Sequence, residues 1–335
     1  MQLSVLVVSR TAERLSTLLS SVSAATRLSA QDVEILCSWN GSEDDEQLIE
    51  NHSGYEFFIA QRKPYHFASN INQLANHASG DVVALVNDDV VLDPGSLDAG
   101  LACLSEHPPA TMVGGLLRTP DEQLQHAGFS FELNHNPYHI LEGMIAADDF
   151  ANDQTAFEVP AVTAAVALIP RQTFLQLSLN ENYQRCGEDV EFNLDLRQKL
   201  NGHVFLCPGL SGVHAESATR AEQGETGNTS EDQVKLRTRR RHFVEQASAD
   251  QLRVELAMTA RERTLSRHLL QQRLSELDRD RAELERQQAE FEEAVKRDSA
   301  IQSLQNDRDY WKRQAQTLQL EALRLQDSVQ RGSGV

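Results

Sequence analysis

Through its first 210 residues the chain alternates short apolar runs with amphipathic stretches. Leu3 to Val8 is a β-rich run that Ser9-Arg10-Thr11 breaks, and from Ala12 the positions Leu15, Leu18, Leu19 and Val22 follow helical spacing. Val33 to Cys37 reads as a second strand, closed by Trp39-Asn40-Gly41-Ser42, and Phe57 to Ala60 as a third. Phe67 to His77 predicts a helix with Phe67, Ile71, Leu74 and Ala75 on one side. Ser79-Gly80 ends it, and Val82 to Val86 follows as a strand buried on both faces. Strands alternating with helices in this way predict βαβ units, a parallel sheet and right-handed crossovers.

Farther on the pattern is less regular. Leu97 to Leu104 is helical, Met112 to Leu117 is a strand candidate, and residues 133–157 read as a long polar loop placed to act as a lid. Val159 to Ile169 is apolar and stops at Pro170. Arg185 to Phe192 opens a helix that Leu200-Asn201-Gly202-His203 caps, and Val204 to Pro208 is the last strand. The polar segment from Ser217 to Ser230 reads as a mobile loop near the site.

From about Ala247 the pattern changes. Glu, Gln, Arg, Leu and Ala dominate, with no Pro and no Gly before Gly332. Leu270, Leu277, Leu284 and Phe291 fall seven apart, and Leu274 and Val295 take companion places. A second register, Ile301, Leu304, Trp311, Leu318 and Leu325 among its members, is offset from the first, so a break is expected between Ala294 and Ile301. The division expected is an α/β domain over 1–245 and a helical coiled coil over 246–331. The coil serves self-association or a partner scaffold, with an amphipathic helix folded back on the domain as the alternative.

Composition narrows the function classes. Fifty acids against 31 Lys plus Arg give a net charge of −19, which disfavours nucleic acid as a partner, since phosphate contacts dominate that affinity. The four cysteines, Cys37, Cys103, Cys186 and Cys207, form no CxxC pair and suit neither a zinc cluster nor a disulfide framework. Reduced thiols and a cytoplasmic location are expected. No run approaches the roughly 18 apolar residues of a spanning helix.

The candidate chemistry begins where Val82–Val86 ends, at Asn87-Asp88-Asp89. Adjacent carboxylates repel, so they belong in water or around a cation. A metal or metal-nucleotide site and an acidic turn both fit these three residues. No GxGxxG follows the first strand and no GxxxxGK[ST] occurs, so phosphates need another counter-charge; a divalent cation on Asp89 supplies one. Glu188 and Asp189 open a helix, where acids favour the dipole whether or not they react. Lys235, Arg237, Arg239, Arg240 and Arg241 form a basic run: a solvated helix face, a diphosphate contact, or peripheral docking on an anionic membrane at the inner face.

The order of these features resembles the family-2 glycosyltransferases of the GT-A fold, in particular rhamnosyltransferase-like bacterial members. The resemblance rests on Ser9-Arg10, Trp39-Asn40-Gly41-Ser42, Phe67 to Asn72, Gly80-Asp81, Asn87-Asp88-Asp89, Gln125-His126-Ala127-Gly128, Val162-Thr163-Ala164-Ala165, Gly187-Glu188-Asp189-Val190 and His214 with Glu216-Ser217. It implies an α/β fold with a mostly parallel Rossmann-like sheet. It implies inverting, metal-dependent transfer of a sugar from a nucleotide-diphosphate donor to the hydroxyl of a glycan or lipid-linked acceptor, in cell-surface polysaccharide or glycan synthesis. Asp89 and His214 are the implied ligands of Mn²⁺ or Mg²⁺. Asp189 is the implied general base, with Glu188 beside it to raise its pKa or bind the acceptor. Ser9, Arg10, Trp39, Asn72, Asn87 and Asp88 are expected around the nucleotide, and His126 and Thr163 around the sugar and acceptor. Trp39 departs from the family, which usually places an acid there. The competing class is a non-catalytic assembly protein that uses the coil and keeps a relic sugar-nucleotide site. The coil makes a homo-oligomer the expected assembly in either class.

Overall fold

The computed structural model describes residues 2–150, 155–215, 231–297 and 301–332. They fall into two compact units, Met1–Arg263 and Thr264–Val335. In chain order the elements of the first half are β1 (Leu3–Ser9), α1 (Ala12–Ala25), β2 (Val33–Trp39), α2 (Glu43–Glu46), β3 (Glu56–Arg62), α3 (Phe67–His77), β4 (Val82–Val86), β5 (Val90–Leu92), α4 (Ser96–Ser105) and β6 (Thr111–Arg118). There follow β7 (Leu124–His126), β8 (Phe129–Phe131), β9 (Pro137–His139), α5 (Ala147–Phe150), β10 (Phe157–Glu158), β11 (Val166–Pro170), α6 (Arg171–Leu177), α7 (Glu188–Lys199) and β12 (His203–His214). Three helices close the chain: α8 (Glu231–Gln246), α9 (Ala249–Arg297) and α10 (Ile301–Gly332).

The main sheet runs β10-β12-β6-β11-β4-β1-β2-β3, with β5 added to β12 and β7 to β6. The β4-β1-β2-β3 half is parallel, as the alternating pattern predicts. The other half is mixed: β11 lies antiparallel between β4 and β6, within a sheet that is mostly parallel as expected. Hydrophobic spacing carries no strand direction, and only Val166–Pro170 of the apolar run 159–169 enters the sheet. Leu3, Val5 and Val7 of β1 and Val33 and Ile35 of β2 pack with Leu15, Leu18, Leu19 and Val22 of α1 in one buried cluster. Where β4 begins, buried Glu34 accepts from the hydroxyl of Ser4 at 2.6 Å and the N–H of Ser79 at 2.6 Å, which holds the Ser79-Gly80 turn against β1.

Two bulges bear on the site. β12 pairs in parallel with β6 but shifts register between Cys207 and Ser211, then continues to His214 beside Val90 of β5. The last strand is therefore longer than the apolar run Val204–Pro208. Asp93, just after β5, takes the fork of Arg118 at 2.6 and 2.9 Å and the Ser211 hydroxyl at 2.6 Å, fixing the re-aimed part of β12. β7 bulges as well: Leu117 faces His126 and Arg118 faces Leu124, leaving Gln125 as the extra residue.

The region expected as one loop, 133–157, contains β9, which pairs with β8, and also α5. Elements of three or four residues are too short to show a period. Residues 151–154 and the loop expected over 217–230 lie outside the described residues. The register break expected between Ala294 and Ile301 spans residues 298–300, which lie outside the described residues.

The first unit runs past residue 245 and takes in the first turns of α9. Arg197 of α7 is buried; it donates to Glu255 at 2.7 Å, to the Pro160 carbonyl at 3.1 Å and to the Gln251 carbonyl at 2.7 Å. Buried Arg240 of α8 reaches the other Glu255 oxygen at 2.8 Å, and Met258 is 1% exposed beneath Gly128.

Candidate active site

Backbone pairing sets the first part of the site. After β4 the chain turns through Asn87-Asp88-Asp89, held by the Asn87 N–H on the Ala165 carbonyl at 2.9 Å and the Ala215 N–H on the Asp89 carbonyl at 3.0 Å. Because His214 faces Val90 across the β12–β5 ladder, its ring stands beside the Asp89 carboxylate. His214 Nε2 and Asp89 Oδ1 are 3.0 Å apart, with both side chains mostly buried. Asp89 Oδ1 forms an ion-pair contact with that ring but accepts no well-directed hydrogen bond. Two ligand atoms at a right angle around an ion of about 2.1 Å bond length stand about 3.0 Å apart, so the pair fits a small divalent cation. Among the described residues no group of three or more His, Cys, Asp or Glu side chains converges. A cation held by this pair would need phosphate and water to complete its ligands, the usual arrangement of nucleotide-metal sites.

Asp88 points the other way, to the end of β1, where the Ser9 hydroxyl donates to its Oδ2 at 2.7 Å. Burial pushes the Asp88 carboxyl above its ordinary value, the Ser9 bond pulls it back, and the Asp89 charge adds to the rise. Half-buried Arg14 and exposed Arg10 act in the opposite sense.

The second part is the N-terminus of α7. Gly187 holds φ +106, a conformation that suits glycine, and turns the chain into the helix. Asp189 accepts from the Ala164 N–H at 3.2 Å and from its neighbour Val190 N–H at 2.7 Å. Burial raises its pKa, and those amides with the Thr163 hydroxyl oppose the rise. Its side chain nevertheless keeps part of its surface open. Glu188 is buried, and its Oε2 has no hydrogen-bond partner. Burial, then the Asp189 charge, pushes it up to about 7. The shared loop 163–165 ties the two parts together, since Ala164 binds Asp189 while Ala165 binds Asn87.

Several expected residues stand one layer back. Trp39 is 2% exposed, donates its indole N–H to the Ser42 carbonyl at 3.1 Å and packs under Gly41, so it supports the loop after β2 from below. Asn72 is buried and clamps another segment: it donates to the Leu179 carbonyl at 2.9 Å and to Glu181 at 3.0 Å, and accepts the Leu179 N–H at 2.8 Å. His126 lies behind Thr163, whose N–H donates to its Nε2 at 3.2 Å, and its Nδ1 meets His139 Nδ1 at 2.7 Å. Burial, then His139 and His214, hold the His126 ring well below its ordinary value. The basic run turns inward in part: Arg239 bridges to Asp195 at 2.6 Å, Arg240 to Glu255, and Lys235 donates to the Asn182 carbonyl at 2.7 Å. Glu216-Ser217 lies outside the described residues.

Three residues were not legible as site residues. Tyr65, before α3, keeps 52% of its surface open, yet desolvation, then the charges of Glu188 and Asp88, push its hydroxyl up to about 12. No spacing signal marks it. Asp232 of α8 takes the N–H groups of Gln184 at 2.9 Å and Arg185 at 2.7 Å, fixing the loop before Gly187. Gln125 accepts from His214 Nδ1 at 2.7 Å and had only its place in a motif.

Residues 4–158 match the family model described as glycosyl transferase family 2. Over 164 residues the chain is 31% identical to the O-antigen biosynthesis protein RfbC of Myxococcus xanthus, a match that takes in 47% of this chain and 12% of that protein. The chain thus spans a small part of that relative's length. The structure is similar to S. aureus TarS 1-349 in complex with UDP-GlcNAc, with a TM-score of 0.55 and 14% identity over 76% of this chain and 69% of that one. It is also similar to GalNAc-T7 with UDP, GalNAc and Mn²⁺, with a TM-score of 0.52 and 15% identity over 72% of this chain and 48% of that one. At these identities the likeness is one of fold.

Proposed function

We propose that this chain, of GT-A fold and with residues 4–158 matching the family-2 glycosyltransferase model, is an inverting, metal-dependent glycosyltransferase. The donor is a nucleotide-diphosphate sugar and the acceptor a hydroxyl of a cell-surface glycan or its lipid-linked precursor. The observation that carries the reading is the Asp89–His214 pair at 3.0 Å, joined through the 163–165 loop to Asp189, whose neighbour Glu188 is buried.

Asp89 Oδ1 and His214 Nε2 would hold the cation, and a nitrogen ligand would favour Mn²⁺ over Mg²⁺. When bound, the cation neutralises the diphosphate and stabilises it as a leaving group. Asp88, braced by Ser9, faces the nucleoside, with Asn87 and Arg10 beside it. Asp189 removes the acceptor hydroxyl proton as that oxygen attacks the anomeric carbon. A carboxylate has about four lone-pair sites; the Ala164, Val190 and Thr163 donors fix the carboxylate and leave acceptor capacity for the incoming proton. Its raised pKa makes it a stronger base than a solvated aspartate. Glu188, pushed up to about 7 by burial and then by the Asp189 charge, is protonated in part of the population and so lessens the negative charge beside the base.

A thermal-shift panel of nucleotide-sugars, each with Mn²⁺ and with chelator, tests the reading. One donor is expected to stabilise the chain only with the metal. Asp189→Asn is expected to keep that shift and to lower transfer by about 10²–10⁴-fold, the usual share of a general base. Silence across the panel favours the relic-site scaffold instead, and wild-type turnover in Asp189→Asn removes the base assignment.

A further inference from the structure

We infer that Gln125 is the positioning residue of the cation site: from a bulge in β7 it fixes the His214 ring so that the Nε2 lone pair faces Asp89. The inference rests on the metal reading of that pair.

The bulge is the first observation. Across β6–β7 the register passes from Leu117↔His126 to Arg118↔Leu124, so Gln125 has no partner opposite it. An extra residue in a strand bends the ladder and re-aims a side chain. On the other flank of β6, the register shift of β12 between Cys207 and Ser211 precedes His214. The two irregular strands bring Gln125 and His214 together, and Gln125 is 4% exposed.

The hydrogen bonds then determine the polarity. The Gln125 amide contacts His214 twice, through Oε1 at 2.7 Å from Nδ1 and through Nε2 at 3.5 Å from the backbone carbonyl. A carbonyl can only accept, so the amide nitrogen belongs on that side. Oε1 therefore faces Nδ1, and an amide oxygen can only accept. Nδ1 carries the proton, and in the neutral ring Nε2 keeps its lone pair. That lone pair lies 3.0 Å from Asp89 Oδ1, a buried oxygen with no well-directed donor of its own. Two acceptors facing one point suit a cation. Histidine ligands are commonly held this way, by an acceptor on the far nitrogen, and losing that acceptor typically weakens metal affinity about 10–100-fold.

The test measures Mn²⁺ affinity in the full chain with inorganic pyrophosphate present, by electron paramagnetic resonance of free Mn²⁺. The variants are Gln125→Met, of similar length without the amide acceptor, and Gln125→Glu, which keeps an acceptor for Nδ1. Asp89→Asn and His214→Ala serve as controls, and a melting curve accompanies each protein. Gln125→Met is expected to bind about 10–100-fold more weakly, with Gln125→Glu restoring wild-type affinity or better. Wild-type affinity in Gln125→Met beside a weakened His214→Ala overturns the role of Gln125 and leaves the metal site standing. Wild-type affinity in both controls, or no Mn²⁺ bound by the wild type, removes the metal site itself. Should Gln125→Met fail to fold, Gln125→Glu decides: a tenfold or larger loss in that variant overturns the inference.

Discussion

Glu188 and Asp189 are neighbours in the chain, yet the fold gives them different surroundings. Asp189 accepts two backbone N–H groups, while Glu188 has a buried oxygen with no donor. Burial therefore pushes Glu188 from its ordinary 4.5 up to about 7. Between those values the folded chain holds a proton that the unfolded chain has released. The Glu188 contribution to stability is thus present below about pH 4.5, falls as pH rises to about 7, and stays lost above. Glu188→Gln removes this loss. It is expected to be more stable than the wild type at pH 8, by roughly 3.5 kcal/mol for a rise from 4.5 to about 7 on a scale of about 1.4 kcal/mol per unit, and equal to it at pH 4. Urea melts at both pH values check this, and a variant no more stable at pH 8 contradicts it. The sequence made these acids visible as a motif at a helix start, because short-range spacing is local information. It left Tyr65, Gln125 and Asp232 unmarked as site residues, because each acts through a partner far along the chain.

At the scale of elements, apolar periodicity located helices well where one face packs on the sheet. Phe67–His77 is α3 to the residue, since Ile71, Leu74 and Ala75 are buried as its spacing predicts. Periodicity was least informative at the join between the glycosyltransferase fold and the long helix. The composition shift near Ala247 marks a change of surface, but α9 begins by packing on α7 and α8 through Glu255 and Met258. A chain ending at Gln246 leaves Arg197 and Arg240 without Glu255, and uncovering a buried pair in this way costs about 3–5 kcal/mol. A chain ending at Arg263 keeps both contacts. Thermal melts of 1–246, 1–263 and the full chain are expected to show a large loss in the first and little change in the second. Equal melting of 1–246 and 1–263 contradicts the clamp.

At the scale of the whole molecule, the second unit carries an apolar series along its helices. Leu270, Leu274, Leu277, Leu318 and Leu325 are exposed, and their heptad spacing suits a coiled-coil seam. Light scattering is expected to give a higher mass per particle for the full chain than for 1–263 by more than the missing residues account for. Equal oligomeric states argue against self-association through these helices. Among the described residues no helix is long and apolar enough to cross a membrane. The stretch DVVALVNDDVVL shows how the information divides. The sequence by itself determined the apolar strand, the acids at its end, the alternation that places that end at a ligand edge, and the heptads of the tail. These follow from local periods of two, 3.6 and seven residues. Only the tertiary structure decided that β11 runs antiparallel, that Trp39 is a buried support, and that His214 meets Asp89 across β12 and β5. Strand order, direction and bulges depend on pairings between distant residues, such as Val90 with His214 across β5 and β12, and a local pattern cannot encode them.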